Sequence, residues 1–158
     1  MLPQGARAGL ESKVEIRVDA ALTKGLKGQE LSELGLMAEA GASLFSNADR
    51  LVSDSLVLRN ALLYARPFGL PVMLRAGDAD LESLAVMNEG ASSALAGLRG
   101  LPAAAEELGI ARLVALARYT GTHVHVLGVS TKLALEQLRS ALASGVSISG
   151  STTPLHCL

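Results

Sequence analysis

The chain has 158 residues, 49% of them hydrophobic, which is enough for one domain with a packed core. Its 14 Lys and Arg residues nearly balance 15 Asp and Glu residues, and a net charge of -1 excludes the broad positive field that attracts nucleic acid or an anionic membrane. No apolar run approaches the roughly 20 residues of a membrane helix, and the N-terminus lacks a signal-peptide core. With a single cysteine, Cys157, interpreted as an inert thiol, the composition predicts a soluble cytoplasmic protein.

Short β-branched runs alternate with stretches of helical period, which is typical of a parallel sheet with crossover helices. Only residues 77–102 break the alternation, and their Ala, Ser and Gly content predicts a long functional or mobile loop. The pattern predicts one α/β domain over residues 1–158. The five predicted strands are Val14 to Leu22, Ala42 to Phe45, Pro71 to Leu74, His123 to Val129 and Val146 to Ser149. The predicted helices cover residues 29–40, 53–66, 102–119 and 131–143.

The three histidines are the first candidates for chemistry. His123 and His125 alternate within one predicted strand, so both side chains point to the same face, where such a pair can bind a metal ion. The simpler interpretation is that one or both are half-buried strand residues that donate to the backbone, because the sequence offers no third ligand nearby. His156 is interpreted as part of a frayed C-terminus.

Polar residues after the strands could act as bases, nucleophiles or phosphate ligands. We interpret Asp54 and Asp80 as helix N-caps, and Ser130 and Thr131 as the cap of the helix that follows them. The segment GLKG at residues 25–28 lacks the order of a phosphate-binding loop and predicts a turn. The aspartates considered as bases, each of which could equally be the N-cap of the helix that follows it, are Asp49, Asp54, Asp78 and Asp80.

Several segments form a specific pattern over roughly residues 12–158: ALTKGLKGQELSELGLMAEAGASLFSNADR, YARPFGLPVMLRAGDADL, MNEG with GLRGLP, AAEELGIAR, TGTHVHVLGVST and GVSISGSTTPLH. Taken in this order, they resemble the middle of a barrel-forming dihydroorotase of the amidohydrolase superfamily. The resemblance implies an incomplete TIM-like (β/α)8 barrel, in which the five parallel strands correspond to the third to seventh. A complete barrel takes about 250 residues.

The same resemblance places three metal-ligand positions of the family on Ala48, Arg75 and Gly128. The family's aspartate in F-S-D-D-G falls on Ala48, and its two zinc histidines fall on Arg75 and Gly128, while His125 matches a histidine that is not a ligand. Ala48 and Gly128 offer no ligand atom, and Arg75 brings a fixed positive charge. The resemblance therefore implies no metal, no cofactor and no catalytic residue in this chain.

These changes predict a protein that is not an enzyme: a catalytically inactive dihydroorotase-like scaffold of pyrimidine biosynthesis that binds aspartate transcarbamoylase or itself. Two alternatives stay open. One is a metal-dependent cyclic-amide hydrolase that uses His123 or His125, and the other is a small-anion binder in which Arg75 grips a carboxylate. Unpaired edges at the Val14 and Val146 strands also predict a homo-oligomer or a partner complex.

Overall fold

A five-stranded parallel sheet forms the centre of the computed structural model, which describes residues 16–157. The five strands of this sheet lie in the order in which they occur in the chain, and two short strands between the third and fourth of them form a separate parallel pair. The predicted α/β class and the five parallel strands are confirmed. The strands are β1 (Asp19–Ala21), β2 (Leu44–Ser46), β3 (Val72–Arg75), β4 (Met87–Asn88), β5 (Gly100–Leu101), β6 (Val124–Leu127) and β7 (Ile148–Gly150).

Helices connect consecutive strands, as the crossover between parallel strands requires. None of the helices in residues 16–157 is long and apolar enough to cross a membrane. The helices are α1 (Leu34–Glu39), α2 (Ser55–Ala65), α3 (Ala79–Glu82), α4 (Ala91–Ala96), α5 (Ala103–Thr120) and α6 (Lys132–Ala143). Short 3-10 turns lie at Lys24–Leu26, Arg66–Phe68 and Pro154–Cys157.

The strand register gives the sheet one apolar face and one more polar face. The apolar row is at most 2% exposed and joins helix residues such as Leu62 and Leu113 in the core. Because side chains alternate along a strand, the next residue of each strand lies on the opposite face, which we call the inner face. The apolar row is Phe45, Val72, Val124 and Ile148, and the adjoining inner-face row is Ala21, Ser46, Met73, His125 and Ser149.

The prediction of a long loop at residues 77–102 is wrong. This segment contains α3, α4 and the β4–β5 pair, in which Met87 lies opposite Gly100. Strands of two residues and helices of four to six are too short to show a hydrophobic period in the sequence.

Several helices and strands begin later in the chain than the sequence predicts. The helix predicted over residues 29–40 is reduced to α1, because Leu31 pairs with Thr23 in an antiparallel bridge and Ser32 N donates to Leu22 O. The first predicted strand starts at Asp19, while Val14 lies outside the described residues.

Candidate functional site at the carboxyl ends of the strands

Arg75 ends β3 on the inner face, two residues after Met73. Its Nη1 donates to Glu82 Oε2 at 2.8 Å, and this ion pair is partly buried, with 35% of the Arg75 side chain and 17% of the Glu82 side chain exposed. Glu82 reaches Arg75 because Asp78 caps α3, accepting hydrogen bonds from Asp80 N and Leu81 N. The ion pair holds the guanidinium at the carboxyl end of the sheet.

A cleft of about 570 Å³ opens beside this ion pair at the carboxyl ends of β1, β2 and β3. Its charged lining consists of three cations and two carboxylates, so the cleft carries one net positive charge at neutral pH. Asp49, considered from sequence as a base, lies here. The charged residues are Lys27, Asp49, Arg50, Arg75 and Glu82.

A buried polar link behind the cleft was not found by sequence reasoning. Thr23 Oγ1 donates to Asn47 Oδ1 at 2.5 Å and accepts from Gly28 N at 2.9 Å, and both Thr23 and Asn47 are 0% exposed. Asn47 Nδ2 donates to the carbonyls of Leu26 and Arg50. Since these polar atoms satisfy one another, Asn47 joins the loops after β1 and β2 and so shapes the cleft.

The three positions that the family resemblance associates with metal do not fit a metal ion. Ala48, at φ 52°, and Gly128, at φ 69°, have no donor side chain, and the Arg75 cation is bound to Glu82. Within residues 16–157, no group of three or more His, Cys, Asp or Glu side chains could hold a metal ion. The donor set therefore assigns no metal-dependent step to these positions.

His123 and His125 lie on the inner face, as the strand alternation predicts. Their partners are hydroxyls of the neighbouring strand region rather than backbone atoms: Ser147, Ser149 and Ser151 bind the four ring nitrogens at 2.8–3.1 Å. Burial lowers the pKa of His125 below its ordinary value of 6.5, and the charge of His123 lowers it further. The serines could not be assigned from sequence, because their position depends on the register between β6 and β7.

The predicted capping residues are confirmed at Asp54 and Thr131 but not at Asp80. Asp54 accepts from Leu56 N and Val57 N, whereas Asp80 lies within α3 and Asp78 is the cap. Thr131 caps α6 by accepting from Ala134 N at 3.3 Å.

Glu106 of α5 occupies the amide groups that a phosphate would need after β6. Its carboxylate accepts from Ser130 N at 2.8 Å, Thr131 N at 2.7 Å and Ser130 Oγ at 3.2 Å. Ser130 is therefore not a cap as predicted, because its hydroxyl donates to Glu106, and Thr131 alone caps α6. Elsewhere, His156 is exposed within the last 3-10 turn rather than in a frayed end.

Consecutive parallel strands joined by helices, with a charged cleft at their carboxyl ends, are typical of a segment of a (β/α)8 barrel. L-hydantoinase (dihydropyrimidinase) from Arthrobacter aurescens matches with a TM-score of 0.73 at 20% identity, over 96% of this chain and 35% of that chain. D-hydantoinase (dihydropyrimidinase) from Thermus sp. matches with a TM-score of 0.65 at 22% identity, over 90% of this chain and 32% of that chain. These similarities establish the fold.

The sequence relatives then give the family. A family model described as "Dihydro-orotase-like" matches residues 3–134. The dihydroorotase of Pelotomaculum thermopropionicum is 40% identical over 148 residues, covering 94% of this chain and 35% of the relative. That of Ruminiclostridium cellulolyticum is 42% identical over 134 residues, covering 85% of this chain and 31% of the relative. The chain belongs to the dihydroorotase-like family and spans about a third of the length of these relatives.

These comparisons contradict the prediction that the chain is not an enzyme. The curated relatives are named dihydroorotases and the similar structures are hydantoinases, and both names denote hydrolases. The prediction was wrong because it weighed three substituted positions, Ala48, Arg75 and Gly128, above the similarity of the remaining chain. The resemblance to dihydroorotases is itself confirmed.

Proposed function

We propose that the chain forms the central segment of a cytoplasmic dihydroorotase-type hydrolase of pyrimidine metabolism. Its substrate would be a cyclic amide that bears a carboxylate, bound at the carboxyl ends of the strands, where TIM-barrel enzymes carry their active sites. The observation that carries this proposal is the position of Arg75 in the charged cleft, on the inner face of the sheet. The names of the sequence relatives support the reaction class.

Arg75 is suited to the substrate carboxylate. Glu82 engages only Nη1, which fixes the guanidinium and leaves its other N–H groups to donate to an anion in the bidentate manner typical of arginine. Lys27 and Arg50 line the same cleft and favour a single negative charge there. The small-anion alternative raised from the sequence thus becomes the substrate-binding step of the hydrolase.

We assign no metal ligands to this segment of the hydrolase. Because Ala48, Arg75 and Gly128 do not fit a metal ion, we expect the purified chain to hold no stoichiometric zinc. Elemental analysis after dialysis against a weak chelator tests this expectation. About one tightly held zinc per chain would contradict the assignment of these three positions.

A thermal-shift experiment with two ligands tests the carboxylate site. Dihydroorotate should raise the unfolding temperature, while dihydrouracil, which has the same ring without the carboxylate, should not. The shift should vanish in Arg75→Gln and persist in Arg118→Gln, an exposed arginine of α5 outside the cleft. Equal shifts with the two ligands, or an unchanged shift in Arg75→Gln, would remove the basis of the proposed function.

We further propose that another chain pairs with the sheet edges. In residues 16–157, β1 and β7 each have one neighbouring strand, although a closed barrel leaves no strand edge. A groove of about 490 Å³ beside β7 is lined by apolar side chains of α6 and by cationic Lys132 and Arg139. A second copy suits this groove, because Ile16 and Val18 are exposed near β1 and Asp19 brings a negative charge.

Light scattering coupled to gel filtration distinguishes the possible partners. We expect an assembly larger than 16.3 kDa that dissociates in Leu142→Glu, at the groove, but not in Leu95→Glu, at an exposed position of α4 outside the groove. If assembly occurs only after aspartate transcarbamoylase is added, that protein rather than a second copy pairs with the sheet edges. A monodisperse 16.3 kDa species that neither self-associates nor binds aspartate transcarbamoylase would refute pairing at the edges.

A further inference from the structure

Two imidazoles and three hydroxyls alternate in a continuous row along the inner face. Ser147 Oγ lies 3.0 Å from His123 Nδ1, and His123 Nε2 lies 3.0 Å from Ser149 Oγ. Ser149 Oγ is also 2.8 Å from His125 Nδ1, and His125 Nε2 lies 3.1 Å from Ser151 Oγ. We call these five residues the His–Ser row.

The single hydroxyl hydrogen of Ser149 couples the two rings. Ser149 can donate to only one of its two nitrogen neighbours, so the other nitrogen must carry a hydrogen and donate to Ser149 Oγ. With both rings neutral, all bonds therefore point in one direction, and both rings carry hydrogen on the same type of nitrogen. If donor and acceptor exchange roles in every hydrogen bond of the row, one proton has moved along the row and all the hydrogen bonds are kept.

The row also accommodates one additional proton without losing a hydrogen bond. If His125 is charged, it donates to Ser149 and Ser151, Ser149 donates to His123 Nε2, and His123 Nδ1 donates to Ser147. If both rings are charged, two N–H groups point at Ser149 and its own hydrogen has no acceptor in the row. The row therefore keeps all its hydrogen bonds with one additional proton and loses one of them with a second.

We propose that the His–Ser row is a proton relay that holds one exchangeable proton between its two rings and delivers it through Ser151. Ser151 directly follows β7, and its backbone is fixed because its N donates to Val126 O and its O accepts from Val129 N, both at 2.9 Å. The relay therefore ends at the carboxyl edge of the sheet, where Ser151 lines the groove beside β7 and Arg75 lines the cleft two strands away. Its catalytic use rests on the proposed function.

The charges around the row are few. From β3, Met73 lies beside His125, and Arg75 comes two residues later with its charge bound by Glu82. β7 and the residues that flank it contribute the three serines. Neither β3 nor β7 contains a carboxylate, so hydroxyl–imidazole bonds hold the proton.

The relay would serve the leaving group in hydrolysis of the cyclic amide. Water adds its oxygen to the carbonyl carbon, the C–N bond breaks, and its electron pair goes to nitrogen, which takes a proton from Ser151 Oγ. Ser151 takes a proton from His125 Nε2, and each bond along the row shifts in turn. The attacking water releases its proton to the solvent, and the solvent returns one proton to the exposed Ser147 at the other end of the row, so atoms and charge balance.

Nitrogen NMR of histidine-labelled full chain tests the relay without any activity. At a pH where both rings are neutral, we expect them to carry hydrogen on the same nitrogen type. When one ring becomes charged, the other should adopt the tautomer that the row dictates: Nδ1–H for His123, or Nε2–H for His125. Opposite tautomers in the neutral protein would overturn the proposal, and this result needs no variant that could misfold.

Variants of Ser149 separate the relay from the proposed function. Ser149→Ala should abolish the linked tautomer change, while Ser149→Thr, which keeps the hydroxyl, should preserve it. In an assembly that hydrolyses dihydroorotate, Ser149→Ala should lower kcat by at least about 10-fold with KM unchanged, and Ser149→Thr should not. Equal kcat in the two variants overturns the relay. If dihydroorotate is not hydrolysed at all, the proposed function fails and the NMR result alone decides the relay.

Discussion

Gly109 of α5 lies against the backbone of Gly77, which follows β3 by two residues. A Cβ atom on Gly109 would lie 2.0 Å from Gly77 N and 2.7 Å from Gly77 Cα. A Cβ atom on Gly77 would in turn lie 1.9 Å from Glu82 Oε1. The two glycines therefore let α5 support the turn that carries Arg75 and its partner Glu82.

Replacing Gly109 with alanine should destabilise the protein. The new methyl group meets backbone, which cannot rotate away, and overpacking of this kind costs about 1–3 kcal/mol, more than the gain in helix propensity of up to about 1 kcal/mol. Urea denaturation should show a lower midpoint. Gly90→Ala is the control, because nothing lies within 4 Å of its Cβ position and its φ of 166° suits any residue. A midpoint unchanged in Gly109→Ala would contradict the close contact.

Replacing Ala48 with glycine should stabilise the protein, although glycine usually does the reverse. Ala48 has a φ of 52°, in the left-handed region that costs an alanine about 1 kcal/mol relative to glycine. We expect a gain of about 0.5 kcal/mol or more in the free energy of unfolding. Ala94→Gly, within exposed α4, should lose a comparable amount. If the free energy of unfolding changes in the same direction in both variants, the backbone of Ala48 is not left-handed.

Glu106→Gln should weaken the start of α6. The carboxylate accepts three hydrogen bonds from Ser130 and Thr131, and bonds to a charged group contribute about 1.5–3 kcal/mol each before solvent exposure reduces them. Chemical denaturation should report a loss of about 1 kcal/mol. The neighbouring Glu107→Gln makes the matched control. Equal stability of the two variants would show that the carboxylate adds nothing beyond its shape.

His125 should make stability fall as the solution becomes acidic. Burial and His123 lower its pKa in the folded protein below 6.5, so the unfolded chain binds the proton more readily. The stabilisation is complete above the unfolded pKa and is lost as the pH falls through the folded pKa. His125→Gln, which can still bond to Ser149 and Ser151, should flatten this part of the stability–pH curve. An equally steep curve in the variant would assign the dependence to other groups.

Local features of the site could be predicted from sequence, and features that depend on register could not. Asp54 and Thr131 were identified as caps because a cap acts on amides two or three residues away. Glu106 was missed, because 24 residues separate it from Ser130 and only the packing of α5 brings them together.

The His–Ser row likewise combines a local feature, which the sequence predicts, with a feature that depends on strand register. Alternation within one strand placed His123 and His125 on a common face, but a second strand supplies their partners. A shift of β7 by one residue would turn Ser149 away, so the row exists only in the observed register. The sequence predicts Asp80 rather than Asp78 as the cap for a related reason: the four-residue α3 is too short to show in the sequence where it starts.

The order of the strands bears on how the polypeptide acquires its structure during synthesis. Since β2, β3 and β7 each pair with the strand made just before them, these strands emerge next to a finished template, and the closing loops stay short. The step from β3 to β6 is the exception, because residues 76–123 must be made first. Until β6 is synthesised, the growing chain presents Val72 and Leu74 beside an unpaired strand edge, which is where a partly made chain is most exposed to wrong pairing.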